Sequence, residues 1–138
     1  MSECVVKGSC LCGLVCFEVM NPATEVTHCH CSMCRKQHGA AFATYAGYLP
    51  EKLRVTAGEE RIQAYRSAPH VERRFCQICG SSFFWVDTTE GKRIWVAVGT
   101  LDGDPGRSID GHIFVGSKAS WYEITDDLPQ FVQFMTSY

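Results

Sequence analysis

Seven of the nine cysteines in this 138-residue chain fall into three short clusters, and thiolates at such spacings are typical ligands of zinc. One residue separates Cys10 from Cys12, and two residues separate Cys76 from Cys79. A glycine follows each pair directly, which suits a turn where the chain needs a positive φ to leave a metal-binding loop. Neither pair can complete a tetrahedral shell alone. We therefore predict that these four cysteines together form one closed, structural zinc site.

The middle cluster contains Cys29, Cys31 and Cys34, and no glycine follows it. Because the three thiols lie so close in sequence, all of them can face one ion. We predict that they bind a second zinc ion and leave one tetrahedral position free, as catalytic zinc sites do. Both zinc ions would be cofactors of the chain.

A fourth protein ligand would turn this second site into a structural one. The candidates in the sequence are His28, His30 and His38. We expect His30, which lies between two of the predicted ligands, to point away from the metal. A cluster in which two ions share thiolates is less favoured, because the spacing separates the groups so cleanly. The residues alone leave the fourth ligand open.

An open position on a zinc ion held by three thiolates favours a soft incoming ligand such as a thiol. Coordination lowers the pKa of that thiol and holds it as a thiolate. Arg35 and Lys36 follow Cys34 directly and could attract the carboxylates of a small thiol such as glutathione, but they could equally form a solvated surface. The residues alone thus predict a zinc site that binds a thiol, but they do not define a reaction.

The cysteine count also indicates the compartment. Nine is odd, so a complete disulfide framework would leave one thiol over. The N-terminus lacks the basic start and apolar run of a secretory signal, and no stretch approaches the roughly 18 apolar residues that span a bilayer. We expect a cytoplasmic protein with reduced thiols and no membrane partner. Cys4 and Cys16, outside the clusters, are expected to be small buried hydrophobic residues.

The charge argues against a nucleic-acid partner. The formal net charge is −2, and zinc sites built from four and three thiolates would make the protein more negative still. Nucleic-acid binding usually demands a basic surface. The sequence does not indicate an oligomeric state.

The chain has the length of one domain, residues 1–138, and its periodicity is that of strands. Short β-branched or aromatic runs separated by turn residues predict strands at 15–19, 41–48, 53–56, 61–66, 71–75, 82–86, 93–98 and 120–124. Helix is predicted only at 32–39 and 128–135. We therefore predict a mostly β fold with little helix, in which bound metal holds the turns between strands together.

Taken together, the three motifs resemble a known family. They read Gly8-Ser9-Cys10-Leu11-Cys12-Gly13, then Cys29-His30-Cys31-Ser32-Met33-Cys34-Arg35-Lys36, then Arg74-Phe75-Cys76-Gln77-Ile78-Cys79-Gly80-Ser81. In this order they resemble the glutathione-dependent formaldehyde-activating enzyme family, and Gly111-His112-Ile113-Phe114 resembles its C-terminal signature. The resemblance covers roughly residues 4–125.

The resemblance implies an Mss4-like β-sheet fold around a structural zinc bound by Cys10, Cys12, Cys76 and Cys79. It also implies a catalytic zinc at the three middle cysteines. The implied activity is that of a carbon–sulfur lyase, which reversibly joins formaldehyde and glutathione into S-hydroxymethylglutathione. Either His38 or His112 could donate to the developing alkoxide. The alternatives are a related thiol adduct as substrate, or a non-enzymatic zinc-binding module for protein interaction or for thiol or metal sensing.

Overall fold

The computed structural model describes residues 4–89 and 92–135, which form two β-sheets and one α-helix. The strands are β1 (Cys4–Ser9), β2 (Cys16–Asn21), β3 (Glu25–Cys29), β4 (Ala43–Tyr48), β5 (Leu53–Ala57), β6 (Ile62–Ala68), β7 (Val71–Cys76), β8 (Ser82–Asp87), β9 (Ile94–Ala97) and β10 (Gly111–Ile113). The helix α1 (Ser32–His38) lies between β3 and β4. Single 3-10 turns cover Pro50–Lys52, Glu59–Arg61, Val98–Thr100 and Val115–Ser117. The predicted mostly β fold with little helix is confirmed.

The smaller sheet, in the order β1-β2-β5, holds the first cysteine pair at its hairpin turn. Strands β1 and β2 pair antiparallel with Gly8 opposite Phe17. The Phe17 ring is buried and meets the rings of Phe83 and Phe84 edge-on, at centroid distances of 6.0 and 5.1 Å. A Cβ on Gly8 would lie 2.2 Å from that ring, so only glycine lets β1 lie over Phe17. The turn that follows β1 is thereby held against the core.

The larger sheet has the order β10-β3-β4-β9-β8-β7-β6, and each of its faces carries an apolar cluster. Its neighbours pair antiparallel, except that β10 runs parallel to β3. Side chains alternate between the faces along each strand. One face supplies Val26, Ala46, Phe84 and Val96 to the main core, which it shares with the smaller sheet. The opposite face forms a second apolar cluster that includes Cys29, Tyr45, Trp95 and Ile113.

Helix α1 begins directly at the middle cysteine cluster, as the sequence predicts. Cys31 is the N-cap, and its Sγ accepts a hydrogen bond of 3.3 Å from the backbone N–H of Cys34. The helix ends at Gly39, whose φ of 61° is left-handed and whose N–H bonds to the carbonyl of Arg35 at 2.8 Å. Among the described residues, no helix is long and apolar enough to cross a membrane.

The C-terminal part of the chain departs from the sequence predictions. The segment 120–124 is not a strand, and the described residues of 128–135 are not helical. Instead, the backbone near Phe131 follows β10: the N–H of Phe131 bonds to the carbonyl of His112 at 2.9 Å, and the N–H of His112 bonds to the carbonyl of Pro129 at 2.8 Å. A strand needs a partner edge, and β10 is covered by this irregular segment.

Three strands and two cysteine environments were also mispredicted. Strands β1, β3 and β10 were not expected, since they alternate weakly or are only a few residues long. The prediction that Cys4 and Cys16 are buried is wrong. Cys4 is exposed on the edge strand β1, and Cys16 is half-buried where β2 begins.

The close approach of β1 to Phe17 predicts a large effect for one methyl group. Gly8→Ala should lower the free energy of unfolding by about 1–3 kcal/mol, because the ring cannot move without disturbing the core. Gly99→Ala is the matched control, since a Cβ there meets nothing within 4 Å and φ is not positive. Urea unfolding measures both variants. Equal midpoints for the two would contradict the packing described here.

Candidate functional site

Four cysteine sulfurs from two distant turns lie together at one end of the fold. The turn after β1 supplies Cys10 and Cys12, and the end of β7 with its following turn supplies Cys76 and Cys79. All four Sγ atoms lie within 4.8 Å of one another. The backbone N–H of Leu11 donates to the hydroxyl of Ser81 at 3.0 Å and so ties the first turn to the second.

Several N–H groups point at these sulfurs, as they do around thiolates. The N–H of Val15 donates to Sγ of Cys10 at 3.4 Å, and the N–H of Ile78 donates to Sγ of Cys76 at the same distance. Hydrogen bonds from the hydroxyl and the backbone of Ser81 lower the pKa of Cys79 to about 5. The contacts to Cys10 and Cys79 favour the deprotonated form that binds a metal.

The second group contains the three sulfurs of the middle cluster. Cys29 ends β3, Cys31 caps α1 and Cys34 lies in its first turn, so one strand-to-helix turn presents all three. Their Sγ atoms also lie within 4.8 Å of one another, and those of Cys29 and Cys34 are 3.4 Å apart. The nine cysteines, all of them within the described residues, are free of disulfide bonds.

Three thiols this close cannot all ionise without a cation. Hydrogen bonds with Cys31 and Cys34, together with burial, raise the pKa of the Cys29 thiol, whereas hydrogen bonds from Cys29 and Cys34 lower the pKa of Cys31. The cluster therefore holds negative charge on one sulfur at the expense of the others. A divalent ion would remove this conflict.

The measured spacings fit a tetrahedral ion. Sulfurs bound at about 2.3 Å in a tetrahedron lie about 3.8 Å from one another. In the first group, Sγ of Cys12 lies 3.5 Å from that of Cys10 and 3.9 Å from that of Cys76. The 3.4 Å between Cys29 and Cys34 is slightly shorter. Both groups could hold a thiophilic metal ion with only small side-chain movements.

None of the three candidate histidines joins the second group. Within the described residues, the cluster of ligand atoms around Cys31 contains three sulfurs and no imidazole nitrogen. His28 Nδ1 lies 2.7 Å from the hydroxyl of Thr44, and His38 Nε2 lies 3.0 Å from the hydroxyl of Tyr45. The third candidate, His30, faces a different neighbour.

His30 begins a series of hydrogen-bonded side chains that runs through the buried ring of His112 to the exposed Asp126. Its Nε2 lies 2.8 Å from Nδ1 of His112, and Nε2 of His112 lies 3.0 and 3.1 Å from the two carboxylate oxygens of Asp126. Both rings are fully buried. Because burial lowers the pKa of His30 to about 4, that ring is neutral at pH 7.

The carboxylate sets the tautomers of both rings. Asp126 accepts, so Nε2 of His112 holds a proton, and Nδ1 of His112 accepts from Nε2–H of His30. Nδ1 of His30 is left without a proton, and among the described residues it has no hydrogen-bond partner. His112 is thus committed to His30 and Asp126.

A pocket of about 190 Å³ borders the three sulfurs. It lies on the second face of the larger sheet, where the register places Arg73 opposite Trp85 and Trp85 opposite Trp95. Tyr45 from β4 and Phe114 after β10 also line it. Neither Arg35 nor Lys36 is among the residues of its wall, and Lys36 is exposed to solvent.

Two polar residues of this pocket were not predicted from the sequence. Arg73 is buried, and its Nη1 lies 3.6 Å from Sγ of Cys34 and donates to Oε1 of Gln37 at 2.9 Å. Burial, and then the neighbouring sulfur of Cys34, raise the pKa of the Tyr45 hydroxyl, so it stays protonated. The sequence offered a signal for Arg73, because it is an arginine at an inward-facing position of the predicted strand 71–75. No local signal existed for Tyr45.

The fold and the two sulfur groups define a cysteine-rich β protein with two candidate metal centres, one of four sulfurs and one of three beside a pocket. The sequence profile of the glutathione-dependent formaldehyde-activating enzyme family matches residues 5–117, which is most of the chain. The chain belongs to this family, as its motifs predicted.

Individual relatives agree with the family match. A protein of Halomonas elongata that bears the family's name is 29% identical over 128 residues, covering 87% of this chain and 81% of the relative. An uncharacterized lyase of Schizosaccharomyces pombe is 22% identical, covering 91% and 89%. The crystal structure of a Rhodobacter sphaeroides protein, 30% identical, aligns with a TM-score of 0.61 over 71% of this chain and 89% of that one.

The hydrogen bonds that link His30, His112 and Asp126 predict one defined tautomer for His112. In nitrogen-15 spectra that resolve histidine tautomers, His112 should hold its proton on Nε2 in the native protein. Asp126→Ala should lose the slow exchange of this proton, because its acceptor is gone. Asp127→Ala is the matched control, since the Asp127 carboxylate does not bond to His112 and the contact between His112 and Asp126 remains. A native spectrum with the proton on Nδ1 of His112 would contradict the assignment.

Proposed function

We propose that this protein is a zinc-dependent carbon–sulfur lyase acting on a glutathione adduct, with formaldehyde plus glutathione to and from S-hydroxymethylglutathione as the family's reaction. The observation that supports this most directly is the group of three sulfurs at the wall of a pocket. We further propose that residues 1–138 act as one domain in the reducing cytoplasm, where the nine thiols stay free.

Zinc is the proposed ion at both groups. Thiolate ligands in tetrahedral arrangement favour zinc over the hard cations. We assign Cys10, Cys12, Cys76 and Cys79 to a structural ion, since they complete its shell. We assign Cys29, Cys31 and Cys34 to a catalytic ion. When bound there, zinc supplies an open Lewis-acid position that lowers the pKa of an incoming thiol and favours its thiolate.

The reaction itself is balanced without a redox partner. The thiol sulfur adds to the carbonyl carbon, the C=O π bond opens, and the thiol proton ends on the oxygen as a hydroxyl. The reverse direction breaks the C–S bond and returns the proton. The protein therefore has to bring the two reactants together and to stabilise charge on the oxygen.

Tyr45 is suited to donate a hydrogen bond to the substrate oxygen. Its side chain lines the pocket, and its hydroxyl is protonated and lies 3.0 Å from Nε2 of His38. When His38 donates from Nε2, the Tyr45 O–H is available to donate to the alkoxide that develops. His38 thus acts through Tyr45. His112, the other candidate from the sequence, is turned toward His30 and Asp126.

Arg73 is suited to keep the cysteine cluster ionised. The guanidinium lies 3.6 Å from Sγ of Cys34, so it supports a thiolate there in an environment with little water. Its Nε also donates to the hydroxyl of Ser67 at 3.1 Å, which fixes the plane of the group. Arg73 therefore positions a ligand and does not need to contact the substrate.

A binding module without turnover is the second candidate. Leu11 and Ile78 are exposed at the two turns that hold the four-sulfur group, and such apolar tips suit a protein partner. This function would use the turns of the four-sulfur group instead of the pocket beside the three sulfurs. It predicts no acceleration of the formaldehyde–glutathione equilibration.

Substitution of one sulfur should separate folding from activity. Cys31→Ser is expected to reduce the zinc content from two ions to one and to abolish the rate acceleration, while the protein still unfolds cooperatively. Cys16→Ser is the matched control, because Cys16 lies outside both sulfur groups. Metal analysis and formaldehyde–glutathione exchange rates measure the outcome. An active Cys31→Ser protein would sink the catalytic assignment.

The same measurements on Cys76→Ser complete the comparison. The Cys76 side chain is fully buried between two sheets, and the free energy of metal binding at such a site contributes directly to folding. That variant should lose cooperative unfolding, unlike Cys31→Ser. A thermal transition unchanged from the native protein would show that the four-sulfur group is not structural.

A further inference from the structure

The pocket beside the three sulfurs does not match formaldehyde. It measures about 190 Å³, and its walls are largely aromatic and aliphatic: Trp85, Trp95, Phe114, Ile113 and Val71. Apolar cavities of about 150 Å³ are large enough to bind benzene. The carbon of formaldehyde bears only two hydrogens and one oxygen, so the formaldehyde part of an adduct has no apolar group to fill this space.

The peptide part of glutathione does not match the pocket either. Glutathione has two carboxylates and an ammonium group, and burying such charges without partners is costly. Glu25 is also a residue of this wall and offers no attraction to an anion. Arg73 is the cation of the wall, but its Nε and Nη1 already bond to Ser67, Gln37 and Cys34.

An apolar substituent on the adduct fits both observations. The sulfurs of Cys29, Cys31 and Cys34 border the pocket, so a group attached within a few bonds of the reacting sulfur would enter it. We infer that the substrate is a thiol adduct with a branched aliphatic or aromatic group next to its C–S bond, and that this group occupies the pocket lined by Trp85, Trp95 and Tyr45. The inference rests on the proposed lyase function and names its substrate class.

The reaction keeps the balance given for formaldehyde. An aldehyde R–CHO and a thiol give R–CH(OH)–S–R′: one C–S bond forms, the C=O π bond opens and the thiol proton moves to the oxygen. The apolar group can belong to the aldehyde or to the thiol. Both adducts present the same chemistry to the pocket.

Binding of two stable thioethers tests the pocket without any turnover. Calorimetry on the zinc-loaded protein compares S-methylglutathione with S-(3-methylbutyl)glutathione. The second is expected to bind at least roughly tenfold more tightly, because the pocket removes its four additional carbons from water. Equal affinities, or tighter binding of the methyl compound, would overturn the inference.

Filling the pocket provides the matched variants. Ala68 lies at its wall at the end of β6, and Ala68→Phe, or Ala68→Leu where the larger residue prevents folding, should remove the tenfold difference. Ala64→Phe is the control on the same strand, since Ala64 is exposed and is not part of the wall. A preference that survives in Ala68→Phe would show that the group binds elsewhere, and the inference would fail.

Two rate measurements decide which reactant bears the apolar group. One pairs 3-methylbutanal with glutathione, and the other pairs formaldehyde with 3-methylbutanethiol. Acceleration of one pair at least tenfold above that of formaldehyde with glutathione supports the inference and names the source. Acceleration of formaldehyde with glutathione alone would overturn it. Selective thioether binding with no acceleration of any pair would support the pocket and reject the lyase function.

Discussion

The repulsion among closely spaced thiolates is the constraint on which the rest of this structure depends. Seven sulfurs lie in two groups, each with all members within 4.8 Å of one another. Their pKa values are driven apart, as the raised pKa of Cys29 and the lowered pKa of Cys31 show. Local N–H donors and the Arg73 guanidinium offset part of this repulsion. A divalent cation in each group would offset the remainder, and the turns place the sulfurs where one ion could contact them all.

The larger sheet positions both sulfur groups and the pocket. One of its faces completes the main core with Phe17 and its neighbours, and this face anchors the turns of the four-sulfur group. The other face supplies the wall of the pocket, at whose edge the three-sulfur group lies. Behind that group, the bonds from His30 through His112 to Asp126 hold the strand-to-helix turn in place. The main core and the pocket thus lie on opposite faces of one sheet.

The spacing of the cysteines was sufficient to predict the two sulfur groups and the start of α1. The structure brings together the same four and the same three sulfurs that cysteine spacing had grouped, and α1 begins at the predicted cluster. The pocket depends instead on register between distant strands. Arg73, Trp85 and Trp95 lie side by side because β7, β8 and β9 pair in one alignment, which no short window of sequence contains.

The C-terminal errors have a related cause. The segment 120–124 has the composition of a strand, but strand formation depends on an available edge, and the edge at β10 is taken by the backbone around Phe131. The same backbone bonds explain why 128–135 is not a helix despite its apolar spacing. Pro129 contributes its carbonyl to His112 in this arrangement. Tertiary hydrogen bonding overrode local propensity at both places.

Native mass spectrometry of the purified protein, with and without glutathione, tests the central claim most directly. We expect a mass with two zinc ions per chain and, after addition of glutathione, a further species with one glutathione bound. A chain that binds two zinc ions but no glutathione would contradict the open thiol-binding position. A chain with one ion or none would contradict the assignment of a metal to each sulfur group.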